Sequence, residues 1–165
     1  MELNEADKYA LNLGKLVGNI QSLEFVLRAF LVNDEIASGA LFTQSANLQD
    51  MNVGDIVPEN AFTNYDTIGQ LIRKYNSHPR IISASLDIDE TLVDVRDAIA
   101  HGRVSAATPS SSLRLLKFDK PKNHQVKVTF SVLITKEWFG EQISRFHSAI
   151  LRVSEANDKL QTGRL

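Results

Sequence analysis

The chain contains no cysteine. Disulfide frameworks and thiolate chemistry are excluded, and the composition fits a reducing compartment. Neither charge is in marked excess, since 18 basic against 20 acidic residues leave a formal net charge of −2 and a pI near 6.1. No global basic field is therefore available for sequence-independent nucleic-acid binding, and any such binding must rest on a local patch. No apolar run approaches membrane-spanning length, and the N-terminal MELNEADKYALNLG is acidic and polar, unlike a secretory signal. Phosphate-loop and dinucleotide glycine patterns are missing, which argues against those nucleotide folds. The four histidines, His78, His101, His124 and His147, do not stand at spacings that put two ligands on one helix face. No metal site and no cofactor are expected.

What is present fits a single domain over residues 1–165, with 43% hydrophobic residues to build a core, in a soluble cytoplasmic protein with no membrane partner. Apolar residues at helical spacing (Leu13, Leu16, Val17, Ile20, Leu23, Leu27, Phe30, Leu31) predict one long amphipathic helix from Asn4 to about Asn33. Glu24 and Arg28 on it form an i,i+4 pair of a few tenths of a kcal/mol. Residues 34–64 lose the periodicity and read as a long connection with one short helix inside it. A second helix runs from about Tyr65 to Asn76, with Ile68, Leu71, Ile72 and Tyr75 as its apolar face and Pro79 as its stop. A third spans Asp87 to His101, followed by Gly102 where a left-handed cap is wanted. The acidic run Asp87, Asp89, Glu90, Asp94 suits its N-terminal end.

Beyond a loop over 103–112 the period changes. LRLLKF and QVKVTFSVLI flank DKPKNH as a β-hairpin, and Val126, Val128, Phe130 and Val132 alternate with polar residues, so one face should be buried. Thr135 then caps a final long helix whose stripe is Phe139, Ile143, Phe146, Ile150 and Val153. The expected fold is mainly α: a bundle of about four helices with a small β-hairpin inserted before the last helix.

The stretch LVDVRDAIAHGRV carries the candidate chemistry. At about 100° per residue Arg96 falls inside the apolar arc, between Leu92 and Ile99 on one side and Val93 and Ala100 on the other. Asp94, Asp97 and Glu90 hold the polar arc, so a solvated arginine had room elsewhere. A guanidinium in an apolar seam needs a buried carboxylate or a bound phosphate. His101 lies in the last turn, where the helix dipole favours the imidazolium. A phosphate clamp beside a histidine suits RNA cleavage, in which a 2′-hydroxyl is deprotonated and a phosphorane stabilised. The pair Arg73 and His78 has the same spacing, but Lys74 and Pro79 follow them, and they read as structural.

RDAIAHG resembles the R-x4-6-H signature of HEPN (higher eukaryotes and prokaryotes nucleotide-binding) domains, in which a polar residue follows the arginine; Arg96, Asp97 and His101 match it. The long first helix, the signature helix ending in His-Gly and the long last helix resemble the family's layout, whereas residues 34–64 and 113–134 do not map onto it. The resemblance implies a helical homodimer with facing signature helices, a metal-independent endoribonuclease site shared between subunits, RNA as partner, and a place in toxin–antitoxin or phage-defence systems with an antitoxin or regulatory protein. Arg96, Asp97 and His101 would be the catalytic residues. The alternative is a non-catalytic helical dimer that serves as an interaction or antitoxin-like module, with Arg96 a core ion-pair partner and His101 a dipole-satisfying terminal residue.

Overall fold

The computed structural model describes residues 4–39, 48–106 and 112–165. The described chain is mainly helical, with α1 (Glu5–Ala37), α2 (Ile68–Asn76), α3 (Pro79–Ala84), α4 (Leu92–His101) and α5 (Lys136–Gln161). Between α4 and α5 stands a three-stranded antiparallel sheet, β1 (Arg103–Ser105), β2 (Arg114–Phe118) and β3 (Val128–Leu133), in the order β1-β2-β3. The expected hairpin is therefore β2–β3, with an extra strand at its edge. Residues 103–105, read as loop, pair Arg103 with Leu116, Val104 with Leu115 and Ser105 with Arg114. Three residues are too few to display an alternation, so only the pairing reveals them. Residues 40–47 of the long connection and 107–111 of the 103–112 loop lie outside the described residues.

The chain clusters into two compact units, one of residues 1–21 and 89–148, the other of residues 22–88 and 149–165. Helices α1 and α5 each contribute to both.

In the first unit the buried side chains are Leu16 and Ile20 of α1, Leu92, Val95 and Ala98 of α4, Leu115 of β2, and Phe139, Gln142 and Phe146 of α5. Tyr9 meets Phe139 edge to face, with centroids 5.8 Å apart. Thr135 caps α5 as expected, its hydroxyl accepting the Trp138 N–H at 3.1 Å. Along α5, however, the inner positions are Phe139, Gln142, Phe146, Ala149, Val153, Ala156 and Leu160, alternating steps of three and four. Ile143 and Ile150 sit on the shoulders, half-buried. The expected stripe steps four then three and the observed seam three then four, so both hold Phe139, Phe146 and Val153, and between these the seam turns through the polar or smaller Gln142 and Ala149 instead of Ile143 and Ile150. Gln142 is tolerated inside because its carbonyl accepts from Arg145 Nη1 at 2.6 Å.

The hairpin turns at Lys122–Gln125, which bridge each other, with Asn123 and His124 at φ 50° and 60°. Two consecutive left-handed residues make the turn whose twist matches that of paired strands. The single buried face expected on β3 does not form. Lys117 pairs with Phe130 but Phe118 with Val128, so Thr129 is an extra residue. Such a bulge reverses the alternation. Phe130 and Val132 point to the same side as Leu115, half-buried, whereas Val128 points to the other side, exposed.

In the second unit, α2 begins with a capping box in which Gln70 Oε1 accepts the Thr67 N–H at 2.8 Å while Thr67 Oγ1 accepts the Gln70 N–H at 3.4 Å. Its expected face of Ile68, Leu71, Ile72 and Tyr75 is buried. Tyr65, placed inside this helix by periodicity, precedes the cap and is fully exposed. Pro79 does not stop α2, which ends at Asn76. It opens α3 instead, a helix absent from the sequence reading, because proline is pre-organised for the first helical position. His78 caps α3 through Nδ1, which accepts the Arg80 N–H at 3.3 Å, and its Nε2 lies 3.1 Å from Asp34 Oδ2. The Arg73/His78 pair is thus structural on the histidine side, while Arg73 is exposed.

Arg28 does far more than pair with Glu24. Its Nη2 lies 3.0 Å from Glu24 Oε1, and the guanidinium also donates to the carbonyls of Ala61, Asn64 and Asp66 at 3.0, 3.3 and 2.7 Å. It thereby ties α1 to the end of the 34–64 connection.

Candidate functional site

The candidate residues belong to the first unit, where α4 packs on β2. Helix α4 starts at Leu92, later than the acidic run suggests, because Asp89 folds a turn ahead of it. Asp89 Oδ1 accepts the Thr91 N–H at 2.8 Å and the Thr91 hydroxyl at 2.7 Å. Asp89 Oδ2 also takes Arg145 Nη2 at 2.7 Å. The bond to Arg145, set against a smaller desolvation effect, holds the Asp89 carboxyl below the usual carboxylate range.

The buried face of α4 is Leu92, Val95 and Ala98, which centres the inner arc away from Arg96. Arg96 therefore sits on the shoulder, not in the seam, with 31% of its side chain exposed. Val93 and Ala100, which periodicity places in the apolar arc, are half-buried and exposed respectively. Asp97, expected on the polar arc, is equally half-buried. Its Oδ1 accepts Arg96 Nη1 at 3.1 Å, and its Oδ2 accepts Lys117 Nζ, also at 3.1 Å. Burial raises the Asp97 carboxyl, but the hydrogen bonds and charges of Lys117 and Arg96 outweigh it, and the net displacement is downward.

Lys117 is the member of this cluster that sequence reasoning missed. The signal was available: on β2 it stands two residues after Leu115, hence on the same side of the strand as the one fully buried sheet residue. A lysine there must reach a carboxylate or water, and Asp97 is what it reaches. The result is a carboxylate bridging two cations at a partly exposed edge, with a net positive charge and with Arg96 donors left over for a phosphate.

His101 is exposed in the last turn of α4 and makes no hydrogen bond or ion pair with any described residue. The Gly102 N–H closes that turn on the Ala98 carbonyl at 2.8 Å. Five residues of regular helix then separate Arg96 and His101 by about 140°. The structure brings Arg96, Asp97 and Lys117 together and leaves His101 apart from them.

Gly102 is not the left-handed cap that its position suggested, since its φ of −76° and ψ of 175° are extended. Glycine is required here by close approach. A Cβ would collide with the Ala98 carbonyl oxygen, and would lie 2.8 Å from Leu115 Cδ1 and 3.0 Å from the Leu116 carbonyl oxygen. The bare backbone lets the chain leave α4 and enter β1 directly against β2.

Among the described residues no three His, Asp or Glu side chains cluster as metal ligands, and no helix is long and apolar enough to cross a membrane. Compared with protein-family models, curated proteins and solved structures, the chain matches none.

Proposed function

We propose that this protein is a metal-independent endoribonuclease acting on single-stranded RNA, built on a HEPN-like helical bundle and working as a toxin or phage-defence component. The observation that carries the reading is the Asp97 carboxylate held between Arg96 and Lys117, one turn before His101, which has no partner among the described residues. The carboxylate orients the guanidinium, and the ammonium adds a second positive charge for a phosphorane. His101 takes the proton of the ribose 2′-hydroxyl or gives one to the leaving 5′-oxygen. Because the closed last turn keeps His101 away from Arg96 on its own helix, the reading requires a two-fold homodimer in which His101 of one copy completes the site of the other.

The test is cleavage of single-stranded RNA by purified protein in EDTA, with Arg96→Ala and His101→Ala each abolishing it. A second reading, a non-catalytic interaction or antitoxin-like module, is favoured by one specific fact: Asp97 neutralises the Arg96 charge within the chain, so the pair needs no ligand to exist. Intact RNA after incubation with active-concentration dimer would support that alternative.

A further inference from the structure

The chain as a whole is slightly acidic, yet from Arg103 to Lys136 there are seven lysines and arginines against one carboxylate, Asp119. Six of the seven, Arg103, Arg114, Lys117, Lys120, Lys122 and Lys127, lie on the three strands or in the connection between β2 and β3, and Lys136 opens α5. The two sides of the sheet differ. Leu115, Lys117, Phe130 and Val132 share the side on which α4 packs, with Leu115 buried and Lys117 bonded to Asp97. By the register, Arg103, Arg114, Leu116, Phe118 and Ser131 share the opposite side.

On that outer side the Arg103 guanidinium lies over the Phe118 ring, 5.5 Å from its centroid. Arg114 reaches across to Ser131 Oγ at 3.0 Å. Val128 and Leu133, also on this side, are 48% and 43% exposed. Cations, an aromatic ring with its stacked arginine, and exposed apolar side chains are thus interleaved on one surface. Phosphates satisfy the first, and unstacked bases satisfy the others. A lipid surface or a nucleic-acid duplex would use the charges and leave the stacking pair idle.

We infer that the outer face of the β1–β3 sheet docks single-stranded RNA, with Arg103 and Phe118 as the base-stacking pair and Arg114 as a phosphate contact. The inference rests on the ribonuclease reading for its purpose, and it supplies what that reading lacks, a track for the substrate. Arg103 opens β1 two residues after His101 closes α4, so a strand lying on this face runs to the candidate proton-transfer group.

The experiment measures anisotropy of a fluorescein-labelled 12-nucleotide oligouridylate with full-length His101→Ala protein, so that no cleavage consumes the probe. A duplex of equal length and phosphatidylserine vesicles form the other arms. Expected are binding to the single strand, a log–log salt slope of about −0.7 for each phosphate contacted, and at least tenfold weaker binding for Arg103→Glu/Arg114→Glu. Phe118→Leu, which keeps apolar bulk, weakens binding several-fold at unchanged circular dichroism. Binding without any cleavage by the wild type would leave this surface standing and remove the ribonuclease reading. Equal affinity of the charge-reversed and parent proteins overturns the inference, as do preference for the duplex or the vesicles and wild-type cleavage that ignores Arg103→Glu/Arg114→Glu at low substrate concentration.

Discussion

Lys117 Nζ donates to Asp97 Oδ2 at 3.1 Å, joining the middle strand of the sheet to the helix that carries the candidate site. Both side chains are about a quarter to a third exposed, so solvent screens the pair and its removal costs stability little, about 0.5–1 kcal/mol. On the ribonuclease reading its effect on chemistry is larger. Lys117→Met leaves Asp97 to Arg96 alone and removes one cation from the proposed phosphate site. The expected outcome is a tenfold or greater loss of RNA cleavage with a chemical-denaturation midpoint almost unchanged. A variant as active as the parent would exclude Lys117 from the site.

Arg96→Lys keeps the charge but loses the planar, forked donor set. Cleavage is expected to fall by more than a hundredfold, whereas Asp97→Asn, which still accepts a hydrogen bond from Arg96, keeps partial activity. On the ribonuclease reading the products are expected to end in a 2′,3′-cyclic phosphate and a 5′-hydroxyl, because the attacking group is internal to the RNA. End-group analysis reading 3′-hydroxyl and 5′-phosphate would point to hydrolytic metal chemistry and away from this mechanism.

Acid stability follows from Asp89 and Asp97, whose carboxyls are both held below their ordinary value of 3.8. A carboxylate depressed in the folded state stabilises it fully above that ordinary value, and the contribution fades as pH falls through the lower, folded value. Thermal melts of wild type should therefore lose stability steeply below about pH 4, and Asp89→Asn should show a shallower loss because one of the linked groups is gone. Identical slopes for the two proteins would show that Asp89 is not linked to folding.

Gly102→Ala puts a methyl group against the Ala98 and Leu116 carbonyl oxygens and Leu115 Cδ1. Backbone on two sides cannot yield as a flexible side chain would. The expected cost is about 2–3 kcal/mol in urea denaturation. A loss within 0.5 kcal/mol of zero, roughly the scatter of surface substitutions, would mean that β1 is free to move away from α4.

Arg28 separates a local effect from a tertiary one. Glu24→Gln removes a helix-surface pair and costs about 0.5 kcal/mol or less. Arg28→Met strips donors from the carbonyls of Ala61, Asn64 and Asp66 at a largely buried position and costs about 3 kcal/mol. Equal denaturation midpoints for the two variants would reduce Arg28 to the surface partner its spacing suggests.

The sequence by itself determined the features that depend on near neighbours. Helical period marked α1, the inner face of α2 and the span of α5; Thr135 marked where α5 begins; alternation on either side of a turn marked the β2–β3 hairpin. The spacing of Arg96, Asp97 and His101 is likewise a local pattern, legible without coordinates. Tertiary structure decided whatever depends on what lies opposite. Pairing alone made a strand of residues 103–105, and one extra residue at Thr129 split the valines of β3 between two faces. Gly102 is needed for a strand that approaches from the side, not for its own φ. Lys117 joins Asp97 across 20 positions of sequence, and Arg28 finds its acceptors more than 30 residues away, because charged groups taken partly out of water select whichever partner packing brings within reach.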